Sequence, residues 1–257
     1  MPEDPRELHE MNPTGRFSNR AADYRRHRPD YPTAAIDAML AGLGDPASIV
    51  AADVGAGTGI SALQLAGRGV KVLAVEPNAE MRAAGEKHER IQWHDGAAEN
   101  TGLGAGSVAL VLCAQAFHWF RAPEALAEFH RILSARGRLA LMWNTRDRDD
   151  PLTLGYVEAI HAVNGEHPAE IRPFDPESIA VGRRFGVPRR LEFPHSQRLD
   201  REGLIGRATS ASYVPRQGES FERLVNLLAE LWEHHRDAAG LVTMRYVTRL
   251  YLSERLP

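Results

Sequence analysis

The chain has a single cysteine, Cys113, among 257 residues. That excludes an internal disulfide framework and a cysteine-rich metal site. Cys113 falls in an apolar run, where a lone cysteine reads as a small core residue. No apolar stretch approaches the length that spans a bilayer. The start, Met1-Pro2-Glu3-Asp4-Pro5, lacks the apolar core of a signal peptide. A cytoplasmic protein with no membrane partner is the expectation. Positive charge is not in excess either: 31 Lys and Arg stand against 34 Asp and Glu. The basic footprint of a nucleic-acid binder is lacking. There is no internal repeat and no low-complexity tract.

What is present centres on Asp53-Val54-Gly55-Ala56-Gly57-Thr58-Gly59. An apolar run, Ile49-Val50-Ala51-Ala52, precedes it, and a helical pattern, Ile60 to Ala66, follows. A buried strand thus ends in a glycine turn that opens a helix, the setting of a nucleotide-cofactor site. A dinucleotide fingerprint requires glycine at position 60, where Ile60 stands. The spacing Gly-x-Gly-x-Gly resembles the cofactor loop of class I S-adenosylmethionine (SAM) methyltransferases. SAM has no pyrophosphate, so its nucleoside and amino-acid tail must lie against bare backbone at Gly55, Ala56 and Gly57. The helix amino end at Gly59 offers N–H groups to a carboxylate. Asp53 closes the strand and is a candidate for the cofactor's ammonium group.

Val70 to Val75 reads as the second strand, with Glu76 at its carboxyl end. Glu76 lies about twenty residues past the glycine loop, where this kind of fold places an acid for the ribose hydroxyls. Its charge would also repel a 2′-phosphate. Pro77-Asn78 turns the chain into a helix that begins Ala79-Glu80-Met81. Pro77 and Met81 are candidates for packing on the cofactor, Met81 on its adenine. A third strand is Ile91 to His94. In methyltransferases the loop after it passes the adenine edge, and an Asp or Ser often precedes its Ala-Glu pair. Here that residue is Ala97. The backbone N–H groups of Ala97 and Ala98 remain candidates for reading adenine. The side-chain contact to its amino group then falls to Asp95 or Glu99.

Ser107 to Cys113 is a fourth strand, Pro123 to Leu133 a helix, and Gly137 to Trp143 a fifth strand. Arg190 to Phe193 and Met244 to Leu252 are two more. Alternation of strands and helices predicts an α/β fold with a doubly wound, mostly parallel sheet. Seven strands with the last reversed match a Rossmann-like methyltransferase fold. Two stretches exceed the minimal sheet, about 144–188 and 200–240. The second holds an amphipathic helix through Phe221, Leu224, Leu228 and Trp232. Both read as helical lids or caps. The expected organisation is an arm over the active site at 1–32 and a methyltransferase domain at 33–257.

Three further segments carry a narrower resemblance: Phe17 to Pro32, Ala114 to Phe120, and Trp143-Asn144-Thr145-Arg146-Asp147. With Ala211-Ser212-Tyr213-Val214-Pro215 they resemble the small-molecule methyltransferases of the trans-aconitate methyltransferase-like group, over most of residues 17 to 252. The resemblance implies SAM as cofactor, S-adenosylhomocysteine as product, and a small-molecule acceptor. It places the arm over the cofactor, with Tyr24 and Arg28 as cofactor contacts and Arg25 as a substrate contact. An arginine there suits a carboxylate, although Arg25, Arg26 and Arg28 also form a polar run typical of a solvated face. Gln115 lies just past strand four, beside the expected methyl group. Trp119, Trp143, Ser212 and Tyr213 are implied substrate contacts. Tyr31 reads as a packing residue.

His118 is the candidate catalytic residue, as a general base or as a group that orients an acceptor oxygen. A carboxylate acceptor needs no base. A phenol, amine or carbon acceptor does, so C- or phenolic O-methylation with His118 as base is one alternative. A catalytically silent SAM-binding regulator is another. No Asp/Asn-Pro-Pro-Tyr follows strand four, which argues against nucleic-acid bases and protein amides as acceptors. No acid ends that strand to hold magnesium, and His234-His235 point apart on a helix, so no metal is expected.

Overall fold

The computed structural model describes residues 25–85, 87–165, 175–180, 182–211 and 213–257. Tyr24, Ser212 and most of the expected arm lie outside the described residues. Among the described residues, no helix is long and apolar enough to cross a membrane.

Seven strands form one sheet: β1 (Val50–Val54), β2 (Lys71–Val75), β3 (Ile91–His94), β4 (Val108–Ala114), β5 (Leu133–Arg146), β6 (Arg189–Leu199) and β7 (Val242–Glu254). Their order is β3-β2-β1-β4-β5-β7-β6. β7 runs antiparallel to both β5 and β6, and the other pairs are parallel. This is the Rossmann-like methyltransferase fold expected from the sequence. Winding reverses between β1 and β4, so the loops after these strands diverge and leave a crevice at their carboxyl ends.

Residues alternate between the two sheet faces. On one face Ala51, Val72, Leu110, Leu112 and Met142 pack on Ile36 and Met39 of α1 (Thr33–Leu40) and on Ala62 and Leu65 of α2 (Ile60–Ala66). On the other, Ala52, Val54, Val111, Cys113, Leu139 and Leu141 pack on Leu126, Phe129 and Ile132 of α4 (Ala122–Ile132). A short helix, α3 (Ala79–Ala83), follows β2. Cys113 is fully buried, and burial pushes its thiol well above the usual range. The central strands bury both faces and read as continuous apolar runs. β6 is one of the two edge strands. It alternates in exposure and tolerates Pro194 inside it, since an edge residue can spare its amide.

The last three strands outgrow their sequence-based bounds. β5 runs to Arg146, β6 to Leu199, and β7 starts at Val242. The overhang carries a third core, built with α5 (Pro151–Asn164), α6 (Arg201–Thr209) and α7 (Glu219–His235). Leu152, Tyr156, Leu204, Ala208, Leu224 and Leu228 meet Leu199, Val242, Met244 and Tyr246 there. So both extra segments contribute to one helical layer over the ends of β5, β6 and β7.

Candidate functional site

The glycine loop leaves β1 with left-handed backbone at three points: φ is 71° at Gly55, 58° at Gly57 and 82° at Gly59. The amides of Gly55 and Ala56 both donate to the Val75 carbonyl, which extends the pairing with β2. A Cβ on Gly55 would sit 2.6 Å from the Ala116 Cβ and 2.9 Å from the Phe120 ring. The loop after β4 therefore crowds Gly55. Crowding inside the protein is thus itself a reason for glycine there. Gly59 caps α2, and a Cβ on it would meet the Trp93 ring at 3.0 Å.

Two carboxylates stand behind this loop. Glu76 Oε2 accepts from the Gly57 amide and Oε1 from the Asn78 amide, both at 2.9 Å. The acid thus fastens the loop to the start of α3, whose cap is the Asn78 side chain. Each oxygen keeps a further lone pair. Burial raises the Glu76 pKa, against the pull of its two amide donors and of Arg82. Asp53 is fully buried. Its Oδ2 accepts from the Ser61 hydroxyl at 2.7 Å, and its Oδ1 has no partner among the described residues. Burial lifts its pKa from 3.8 to about 7, opposed by the Ser61 and Ala62 hydrogen bonds and helped by the Glu76 charge.

The adenine-side residues are placed differently from expectation. The Ala97 N–H donates to the Asn100 carbonyl, and the Ala97 carbonyl accepts from the Asn100 N–H, so that N–H is already engaged. Asp95 pairs with Arg82 at 3.1 Å, and Glu99 accepts from the Arg121 amide at 2.8 Å. Both acids proposed for the amino contact are engaged elsewhere. Ala98 and Met81 are buried, and Pro77 is half-buried beside Glu76.

Gln115 follows β4 with φ of 56°, a left-handed conformation uncommon outside glycine. Its amide donates to Met142, and its Nε2 reaches the Asn144 carbonyl at 3.3 Å. Phe117 is core, packed edge-on to Phe120. His118 Nδ1 accepts from the Trp143 indole at 3.3 Å, and Trp119 lies against the imidazole. With Nδ1 accepting, the neutral ring carries its proton on Nε2. Burial, with a smaller contribution from Arg28, lowers the His118 pKa from 6.5 to about 4.

Residues 25–31 cross from α2 and the end of α3 to the helical layer. Tyr31 exchanges two hydrogen bonds with the Gln64 side chain and is buried. Asn144 donates to the Asp30 carbonyl while its Oδ1 accepts from Thr248. Gln197 donates to His27 and Arg28 to the Ser210 carbonyl. Arg25 reaches the Ala84 carbonyl, at the end of α3. The two arginines face different regions: Arg25 the end of α3, Arg28 the helical layer and His118. Tyr213 packs half-buried against the third core.

Sequence reasoning missed the tethers Gln64, Asn144, Gln197 and Ser210, which are far from their partners in the chain. It also missed Arg207, buried on α6 beneath the helical layer. Its signal was legible: a cation lies on the apolar stripe of Leu204, Ala208 and Ala211. Among the described residues, no group of three or more His, Cys, Asp or Glu side chains is arranged for a metal ion.

A family profile described as a methyltransferase domain matches residues 52–141. An uncharacterised methyltransferase-like protein of Schizosaccharomyces pombe is 31% identical over 252 residues, covering 94% of this chain and 96% of that one. An uncharacterised methyltransferase of Mycobacterium bovis is 34% identical over 201 residues, 77% of this chain and 76% of its own. Among solved structures, a candidate type II methyltransferase of Anaeromyxobacter dehalogenans superposes with a TM-score of 0.61 at 22% identity, covering 89% of this chain and 97% of that one. The YcgJ protein of Bacillus subtilis does so with a TM-score of 0.56 at 17% identity, over 88% and 100%.

Proposed function

Because the chain belongs to the class I SAM-dependent methyltransferases, we propose that it binds SAM in the crevice after β1 and β2 and methylates a small-molecule acid or other specialised metabolite. One observation carries the cofactor reading: Glu76 clamps the Gly57 amide and the Asn78 amide together, with lone pairs to spare. That acid is placed for ribose hydroxyls. The residues fit the group in other respects. The orphan Oδ1 of Asp53 suits a cationic ammonium. The turns at Gly55 and Gly57 expose backbone. Gln115 and the amide of Ala98 complete the wall.

Bound SAM supplies a methyl group on a sulfonium, displaced in line by the acceptor atom. The chain's own residues have the tasks of alignment and water exclusion. Residues 25–31 close the mouth. Trp119 and Trp143 flank His118, and an aromatic wall favours a cationic sulfur. His118 presents an Nε2–H to the acceptor because Trp143 takes its other nitrogen. Such a group orients an oxygen and removes no proton. This supports an acceptor that needs no base, as a carboxylate does, over base-assisted methylation at carbon or a phenol.

Calorimetry with SAM, S-adenosylhomocysteine and NAD tests the cofactor. Binding of the first two and not the third is expected; NAD binding without SAM binding overturns the reading. Mass spectrometry of metabolite extracts incubated with methyl-labelled SAM then reports the acceptor.

A further inference from the structure

We propose that Arg207 and Tyr156 form an oxyanion site under the helical layer, which holds an anionic group of the acceptor remote from the atom that is methylated. This rests on the methyl-transfer reading above.

The argument starts from two buried atoms. Arg207 is 3% exposed, and its Nη1 has no partner among the described residues. Among the described residues, its side chain donates from Nε to the Tyr246 hydroxyl at 3.2 Å. The Tyr156 hydroxyl is fully buried and also has no partner among the described residues. Buried polar groups are nearly always paired, and an uncompensated buried charge is strongly unfavourable. The two donors are linked through Tyr246, whose hydroxyl meets Arg207 and which lies opposite Arg146, the cation over the Tyr156 ring; two such donors in one region ask for an acceptor.

Their surroundings fix its sign. The Tyr156 phenol feels the charges of Arg207, Arg146 and Arg28, in that order. The Arg146 guanidinium lies 5.1 Å from the Tyr156 ring centre. Among the described residues, the groups acting on Arg207 are Tyr246, Tyr156 and Arg146, and no carboxylate is among them. Burial keeps the Tyr156 phenol protonated despite these cations, so it is an O–H donor. A guanidinium N–H and a phenol O–H together match two oxygens of a carboxylate or phosphate.

The strand register separates this site from the methyl-transfer rim. Tyr246 lies opposite Arg146, and Arg249 opposite Trp143. Three residues along a strand are about 10 Å. An anion at Arg207 is therefore a handle and not the atom at His118. Arg28 bridges the two regions, since its charge acts on both His118 and Tyr156. Both donors are shut from solvent in this structure.

The test measures binding of succinate and of inorganic phosphate to the full chain by calorimetry, alongside S-adenosylhomocysteine. At least one oxyanion should bind. Arg207→Gln should weaken it at least about tenfold, in line with loss of a charged hydrogen bond. Tyr156→Phe, which only removes an unpaired hydroxyl, should weaken it severalfold without lowering the melting temperature. Affinity for S-adenosylhomocysteine should stay within about twofold in both. Preference for succinate or phosphate identifies the handle's class. Three results overturn the proposal: neither oxyanion binds the wild type, both variants bind them as before, or S-adenosylhomocysteine affinity falls together with oxyanion binding. The last would mean that the site holds the cofactor's own carboxylate. Failure of the wild type to bind S-adenosylhomocysteine would instead refute the cofactor reading.

Discussion

At the residue scale, Glu76 and His118 decide most. Glu76 is tied to two amides before any ligand arrives. Glu76→Ala should weaken SAM binding by about 1.5–3 kcal/mol, the range for hydrogen bonds to a charged group. Calorimetry checks this, with circular dichroism to confirm folding. Unchanged affinity in a folded variant would reduce Glu76 to a loop fastener. For His118, an Nε2–H donor role predicts that His118→Ala raises KM and leaves kcat within about threefold. A general base would instead lose about 10²–10⁴ in kcat. Because its pKa is lowered to about 4, activity limited by His118 should be flat from pH 6 to 8, with any change on its protonation confined to near pH 4. Initial rates across that range distinguish this from a histidine titrating at its ordinary pKa.

At the element scale, the arm and the overhanging strands are joined by Asn144. Its amide holds Asp30, and its carbonyl oxygen holds the Thr248 hydroxyl. Asn144→Leu leaves a buried hydroxyl and a carbonyl unpaired, at about 1–3 kcal/mol each. We expect a lower melting temperature and weaker SAM binding, since the arm would no longer cover the mouth. Preserved affinity would show that residues 25–31 are not part of the site. The elements themselves were largely legible. Apolar runs, alternation and period-3.6 patterns located all seven strands and α2, α3, α4 and α7, but not α1, α5 or α6. The glycine spacing with Glu76 marked the crevice. What was not legible depends on partners distant in the chain. Nothing local to Asn144 reveals Asp30, 114 residues away. The Ala97 amide looked available because its bond to Asn100 needs a turn that the sequence does not announce. Strand ends were underestimated because β5 and β7 are prolonged by pairing with each other, which single-strand patterns do not contain.

At the scale of the whole molecule, two buried titrations act in opposite directions. Asp53 has a folded pKa of about 7 against 3.8 ordinarily. The folded state then binds more protons than the unfolded state between those values, so this group erodes stability as pH rises through the window. His118 has a folded pKa of about 4 against 6.5. The unfolded state binds more protons there, so stability is present above pH 6.5 and lost as pH falls toward 4. Melting temperatures from pH 4 to 8 test both. Asp53→Asn should gain on the wild type as pH rises, and His118→Gln should gain as pH falls. Parallel curves would show that neither group carries its shift in the folded protein.

The reversed strand β7 has a consequence for synthesis. It is the last of the seven strands in sequence, yet it lies between β5 and β6 and is the neighbour through which β6 joins the sheet. A growing chain on the ribosome must therefore carry β6, α6 and α7 without a seat until Val242 to Glu254 emerges. Until then β5 presents an open edge, a template for pairing with another chain. A message cut short before residue 242 would leave that edge bare permanently. Its product should be recognised by chaperones and proteases as unfinished, even with the glycine loop and Glu76 already in place.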